Sequence, residues 1–176
     1  FDVILAAHGD KKLDVVKVVK TITGASLMGA KKMVESCPAK LKEALAAAKL
    51  KAAGHKCPFT TSWQSWTQLE SFSAWHNVEF ATLRNGFNGL DTRLSINTPL
   101  HVRHIENLAN MAQQGLFVYK GRDNAGDATF QSGECAMYTG SSAAYGGIKR
   151  NLKAPAGIGA LPYYPDVQGV PQNTVI

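Results

Sequence analysis

The stretch Ser62–Trp75, SWQSWTQLESFSAW, places three tryptophans and a phenylalanine within fourteen residues, and its reading decides how the chain is built. Trp63 and Trp66 are three apart, so a helix beginning near Ser62 sets them on one face, with Leu69 continuing the stripe. Two readings fit this spacing. Large aromatics at helical spacing usually pack in a core, whereas two indoles at a helix start can also wall a ligand. Immediately upstream, Cys57–Thr61 reads as a buried strand. A strand that feeds a helix in this way puts a ligand site at the carboxyl end of a sheet.

Downstream, His76–Gly89 reads mostly as loop, with NGFNG at Asn85–Gly89 as a turn signal and Leu94–Ile96 as a short strand. Pro99 starts a helix whose apolar stripe is Val102, Ile105, Leu108, Ala109 and Ala112, ending at Gly115. His101, Arg103, His104 and Glu106 fall outside that stripe, so the histidines are expected at the surface. Ala128–Ser132 reads as a helical turn and Cys135–Tyr138 as an apolar strand. Gly140, Ser141 and Ser142 then precede a helix running toward Arg150, either as an ordinary N-cap or as a place where hydroxyls and free N–H groups meet an anion. Ile158–Leu161 reads as another short strand, followed by the loop PYYPDVQGVPQ.

Upstream, Phe1–Ala7 reads as a strand and His8–Asp10 as a turn. Leu13, Val16 and Val19, with Val15 and Ile22, form the apolar face of a first helix, which Gly24 ends. Ser26 caps a second helix with Leu27, Ala30, Met33 and Val34 inside, closed by Cys37 and Pro38. Lys40–Gly54 is a third helix of high intrinsic propensity.

Composition splits at the same place. Residues 1–56 hold eleven lysines, no arginine and five acids, which accounts for the whole net charge of +6, and residues 57–176 are neutral. Of fifteen Phe, Trp and Tyr, only Phe1 precedes residue 57. We read two sequences of different origin. Phe1 and Ile176 look like cut ends, no signal peptide is apparent, and no apolar run reaches the roughly 18 to 20 residues of a bilayer span. Three cysteines leave an odd thiol; Cys57 and Cys135 can pair in an exported segment, but reduced, buried thiols are the expectation from sequence. No HExxH, Cys-x-x-Cys, P-loop or GxSxG occurs, so no enzyme, metal or cofactor is expected.

FDVILAAHGDKK, VVKVVKTITG and AKKMVESCPAKLKE resemble the C-terminal domain of the bacterial ribosomal stalk protein over about residues 1–44. That resemblance implies a β-α-α unit docking translational GTPase factors through Leu13, Val16, Lys17, Lys20 and Lys31. KCPFTTSWQSWTQLESFSAWHN, NGFNGLDTRL, GECAMYTGSSAA and LPYYPDVQGVPQNTVI resemble the sn-glycerol-3-phosphate-binding family of bacterial ABC importers over about residues 45–176. This second resemblance implies part of one lobe of a type II periplasmic solute-binding protein, α/β in class. It places Trp63 and Trp66 against a glycerol moiety and Ser141 on a phosphate, while Trp75 stays with the core reading.

The expected fold is therefore α/β, with a stalk-like segment at 1–44 and a partial lobe at 45–176, joined between about residues 38 and 48. The parent function is import of glycerol 3-phosphate or glycerophosphodiesters, with the importer's membrane subunits as partners and the periplasm as location. The family's other ligand groups lack counterparts here, so binding is expected to be weak or absent. Two alternatives stand beside this: a cytoplasmic module docking GTPase factors, and a chimera without selected function. No nucleic-acid partner is expected.

Overall fold

The computed structural model describes residues 4–5, 12–23, 26–35, 39–159, 161–164 and 166–167. The turn at His8–Asp10, the stop at Gly24, the Cys37–Pro38 closure and the final PQNTVI lie outside the described residues. Two small sheets and a set of helices give a mixed α/β fold. Strand β1 (Ile4–Leu5) pairs antiparallel with β2 (Ala39–Lys40). Between them lie α1 (Lys12–Thr23) and α2 (Leu27–Glu35). Ser26 caps α2 as its hydroxyl side chain predicts, accepting from the Gly29 N–H at 3.1 Å. A Lys12–Glu35 ion pair of 3.0 Å ties the two helices at their exposed rim.

Helix α3 (Leu41–Ala52) leads through Gly54, at φ 92°, into β3 (Cys57–Thr61), every residue of which is buried. A positive φ costs glycine nothing, so the helix can stop and the chain turn there. Strand β3 pairs in parallel with β4 (Cys135–Thr139), in register from Cys57 with Cys135 to Thr61 with Thr139. Phe117 adds a parallel bridge to Phe59, so β3 lies between the two.

The expectation of reduced thiols is corrected here: Cys57 and Cys135 form a disulfide across this register pair. Burying both residues on adjacent strands brings the two sulfurs together. Closing a loop of 78 residues stabilises a domain by about 4 kcal/mol in the chain-entropy account.

After β3 a π-helical turn, Trp66–Glu70, runs directly into α4 (Ser71–Trp75). Next come α5 (Thr82–Asn85), a turn with Leu83, Arg84 and Asn85 all at positive φ, and the long α6 (Pro99–Gln113), capped by Thr98. The expected strand at Leu94–Ile96 is only a bridge between Ala81 and Leu94, and Ile158, Gly159 and Leu161 take no strand conformation. Helix α7 (Ala125–Gln131) precedes β4, and a 3₁₀ turn (Ser142–Ala144) leads into α8 (Tyr145–Asn151).

Helix α6 also departs from its hydropathy reading. Its buried residues are His101, His104, Leu108 and Met111, while Val102 and Ile105 are each 45% exposed. The histidines are buried because their ring nitrogens find partners. His101 meets Ser73 Oγ at 2.8 Å and Thr98 Oγ1 at 2.6 Å, and His104 Nε2 donates to Gln68 Oε1 at 3.0 Å. A satisfied imidazole packs as an aromatic: Phe72 lies 4.2 Å from the His76 ring and 3.9 Å, stacked, from that of His104.

One apolar cluster draws on both halves of the chain. Val16, Val19, Ala30, Val34, Ala47 and Ala48 pack with Phe59, Leu108, Met111 and Leu116. At its edge α2 meets the end of α6, where Lys32 Nζ donates to Gln113 Oε1 at 3.3 Å.

Candidate functional site: a cleft at the ends of two parallel strands

Strands β3 and β4 end side by side, and the chain leaves them at Ser62–Trp63 and Gly140–Ser141. The Ser62 N–H donates to the Thr139 carbonyl at 3.1 Å, which extends the pairing one step past the strands. Gln68 fastens the following turn across both ends, its Nε2 donating to Thr61 Oγ1 at 3.0 Å and Thr139 Oγ1 at 3.1 Å. Parallel pairing thus joins two parts of the sequence that no local pattern connects. Loops at the carboxyl ends of parallel strands are where open α/β sheets bind ligands.

Trp63 does not sit on the helix. Its backbone is left-handed at φ 50°, and helical structure begins just after it, at Gln64 and Ser65, and continues through the π-helical turn from Trp66, so the helix starts near Ser62 as expected but Trp63 precedes it. A bulky residue there stores roughly 1 kcal/mol or more of strain and needs fixing from outside. That fixing is visible: the Trp63 N–H donates to the Asp123 carbonyl at 2.9 Å and its own carbonyl accepts from the Thr67 N–H at 2.8 Å. Gln64 Nε2 adds a bond of 2.9 Å to the Gly121 carbonyl. The two indoles stand on a turn tied to the 121–123 loop, and Trp63 remains 44% exposed.

Trp63, Trp66 and Ser141 line one open cleft of about 480 Å³, together with Asn124, Asp127 and the Ala143–Ala144 pair. Trp75 lies elsewhere, half-buried beside a separate cavity of about 30 Å³. Ser141 is an N-cap, its Oγ accepting from the Ala143 N–H at 3.1 Å, which leaves the hydroxyl proton to donate. Indole faces suit the C–H side of a polyol, and hydroxyl, amide and carboxylate suit its oxygens. No lysine or arginine lines the cleft among the described residues.

Asp127 escaped the sequence reading, because an acid in a short helix after a charged loop has no distinguishing pattern. Structure gives it a partner, with the Tyr138 hydroxyl donating to Asp127 Oδ1 at 2.5 Å. Burial first, and that hydrogen bond second, push the Tyr138 phenol above its ordinary pKa, with Ser62 opposing. The phenol therefore stays a donor. Two glycines make room: a Cβ at Gly126 falls 2.6 Å from the Thr61 carbonyl oxygen, and one at Gly140 falls 1.7 Å from the Tyr138 hydroxyl.

On the other side of the sequence, Leu13 is 79% exposed and Lys17, Lys20 and Lys31 are exposed. Val16 is corrected: at 4% exposure it belongs to the core, because the buried face of α1 is Val16 and Val19, and it offers no surface to a partner. Among the described residues no cluster of His, Cys, Asp and Glu has metal-binding geometry, and no helix is long and apolar enough to cross a membrane.

The chain is similar to two families. Residues 1–57 match the family described as Ribosomal protein L7/L12 C-terminal domain. The sn-glycerol-3-phosphate-binding periplasmic protein of Pectobacterium atrosepticum is 45% identical over 129 residues, 73% of this chain and 29% of that protein. Its counterpart in Salmonella typhimurium is also 45% identical over 129 residues, 30% of its length, and that of Yersinia pestis is 43% identical over 141 residues, 79% of this chain and 32% of its own. The chain thus spans about a third of the length of these relatives. Because the two matches together exceed the chain, part of residues 1–57 is similar to both.

Proposed function

We propose that residues 45–176 form a partial lobe of a type II solute-binding protein, and that the cleft is the part of its glycerol phosphate site carried by this lobe. In this reading the protein serves an ABC importer of sn-glycerol 3-phosphate or glycerophosphodiesters in the periplasm, with the importer's membrane subunits as partners. Supporting it is one observation above all: Ser141, distant in sequence from Trp63 and Trp66, lines a single cleft with them at the carboxyl ends of paired parallel strands. Indole walls take the glycerol carbons, and the Ser141 hydroxyl donates to a phosphate oxygen. A Cys57–Cys135 disulfide accords with an oxidising compartment.

Affinity in this chain is expected to be weak. The cleft supplies two apolar walls and one hydroxyl donor, and among the described residues no lysine or arginine lines it, so a dianion is poorly compensated, and binding falls short of the micromolar range, about −8 kcal/mol. Titration with glycerol 3-phosphate, followed by the three indole N–H resonances, tests this. Trp63 and Trp66 should shift saturably at millimolar ligand while Trp75 stays still. Absence of any shift up to about 10 mM, or movement of Trp75 alone, overturns the assignment.

A second reading rests on the exposed Leu13, Lys17, Lys20 and Lys31, which leave α1 and α2 open as a docking face for translational GTPase factors. Pull-down with elongation factors separates the two readings. Retention lost with Lys17→Glu and Lys31→Glu supports docking, and retention that ignores both salt and these changes counts against it.

A further inference from the structure

We propose that Asp127, positioned by Tyr138, determines the specificity of this cleft by accepting the ligand's hydroxyl groups and disfavouring doubly charged phosphate. This rests on the glycerol phosphate reading of the cleft and names the group in it that chooses between the two ends of such a ligand. The carboxylate lines the same space as Trp63, Trp66 and Ser141. A carboxylate offers about four lone-pair sites. The Tyr138 hydroxyl occupies one of them at Oδ1, anchoring that oxygen and leaving other acceptors on a residue that lines the cleft.

The support behind Asp127 is built rather than incidental. Its own N–H donates to the Asn124 carbonyl at 3.0 Å, starting α7 in the wall of the cleft. A Cβ at 126, where the helix start closes on the end of β3, would meet the Thr61 backbone, and one at 140 would push the Tyr138 hydroxyl off its place. Phe130 stacks on the Tyr138 ring at 5.4 Å and holds the phenol's direction. Glycine at both positions, the stacked ring and the short hydrogen bond all act on one carboxylate.

Chemistry follows from charge. A hydroxyl donating to a carboxylate makes a bond about twice as strong as one to a neutral acceptor. The same charge repels a phosphate monoester dianion held at Ser141 in a cleft that no lysine or arginine lines among the described residues. The cleft as built therefore favours the hydroxyl-bearing end of its ligand and tolerates the anionic end.

Binding of glycerol alone and of inorganic phosphate alone, read from the Trp63 and Trp66 indole resonances of the full chain, tests the assignment. Asp127→Asn should weaken glycerol about fivefold and tighten phosphate about fivefold, an opposite movement that a folding defect cannot produce. Tyr138→Phe keeps the charge but frees the carboxylate, so glycerol weakens a few-fold and phosphate is unchanged. If Asp127→Asn moves both ligands in the same direction, or neither, while the wild-type response persists, the role of Asp127 is overturned and the cleft assignment stands. If the wild-type chain responds to neither ligand nor to glycerol 3-phosphate, both are overturned.

Discussion

Trp63 shows how much of a site is legible in single residues. Its side-chain chemistry is plain from the sequence, since an indole near a strand end has few uses besides packing and ligand contact. Its backbone is not, because φ 50° is imposed by Asp123 and Thr67, which no spacing rule connects to it. Asp127 is the reverse case, with ordinary local sequence and a role set by its neighbours. Gly126 gives the sharpest test at this scale. An added Cβ meets backbone at the Thr61 carbonyl, which cannot swing aside as a flexible side chain would. Gly126→Ala should cost about 1–3 kcal/mol in urea unfolding, the range of forced overpacking, and displace Asp127 from the cleft. An unchanged midpoint would show that α7 does not close on β3 as described.

Among the elements, the two strands and the order of helices were readable, because β3 and β4 are short apolar runs between turn signals and α1, α2 and α6 carry caps or helix-starting residues at their ends. The face of α6 was not. Hydropathy assigned Val102 and Ile105 inside and His101 and His104 outside, and the structure inverts it, since a ring whose two nitrogens are satisfied loses little on burial. This inversion makes stability depend on pH. Burial lowers the His101 pKa below its ordinary 6.5, so the unfolded chain binds the proton that the folded one refuses. Stability therefore rises with pH through this window and falls on acidification below about 6.5. Urea midpoints measured from pH 7.5 to 5 should decline. His101→Gln should be less stable throughout, losing part of the hydrogen-bond pair, yet show a shallower decline. An equally steep decline in that variant would assign the effect to other groups.

For the whole molecule, the change in charge and aromatics near residue 57 accompanies similarity to two families, yet it does not mark separate cores. Composition records where a sequence comes from, whereas packing records only which apolar surfaces are near enough to meet. Helix α3 allows this, since its Ala47 and Ala48 lie in the same cluster as Val16 and Val34 before it and Phe59, Met111 and Leu116 after it. All three tryptophans follow residue 57, so their fluorescence reports only on the later region. Val34 is fully buried in residues 1–57, and Val34→Ala removes two methyl groups and leaves a cavity, at a cost of about 2 kcal/mol. With one shared core, that loss should move the tryptophan-detected urea transition by the same amount as the circular-dichroism transition, at unchanged slope. A tryptophan transition that stays in place while helical signal is lost earlier would mean that the lysine-rich region unfolds alone, and that the cleft stands on β3, β4 and α6 without it.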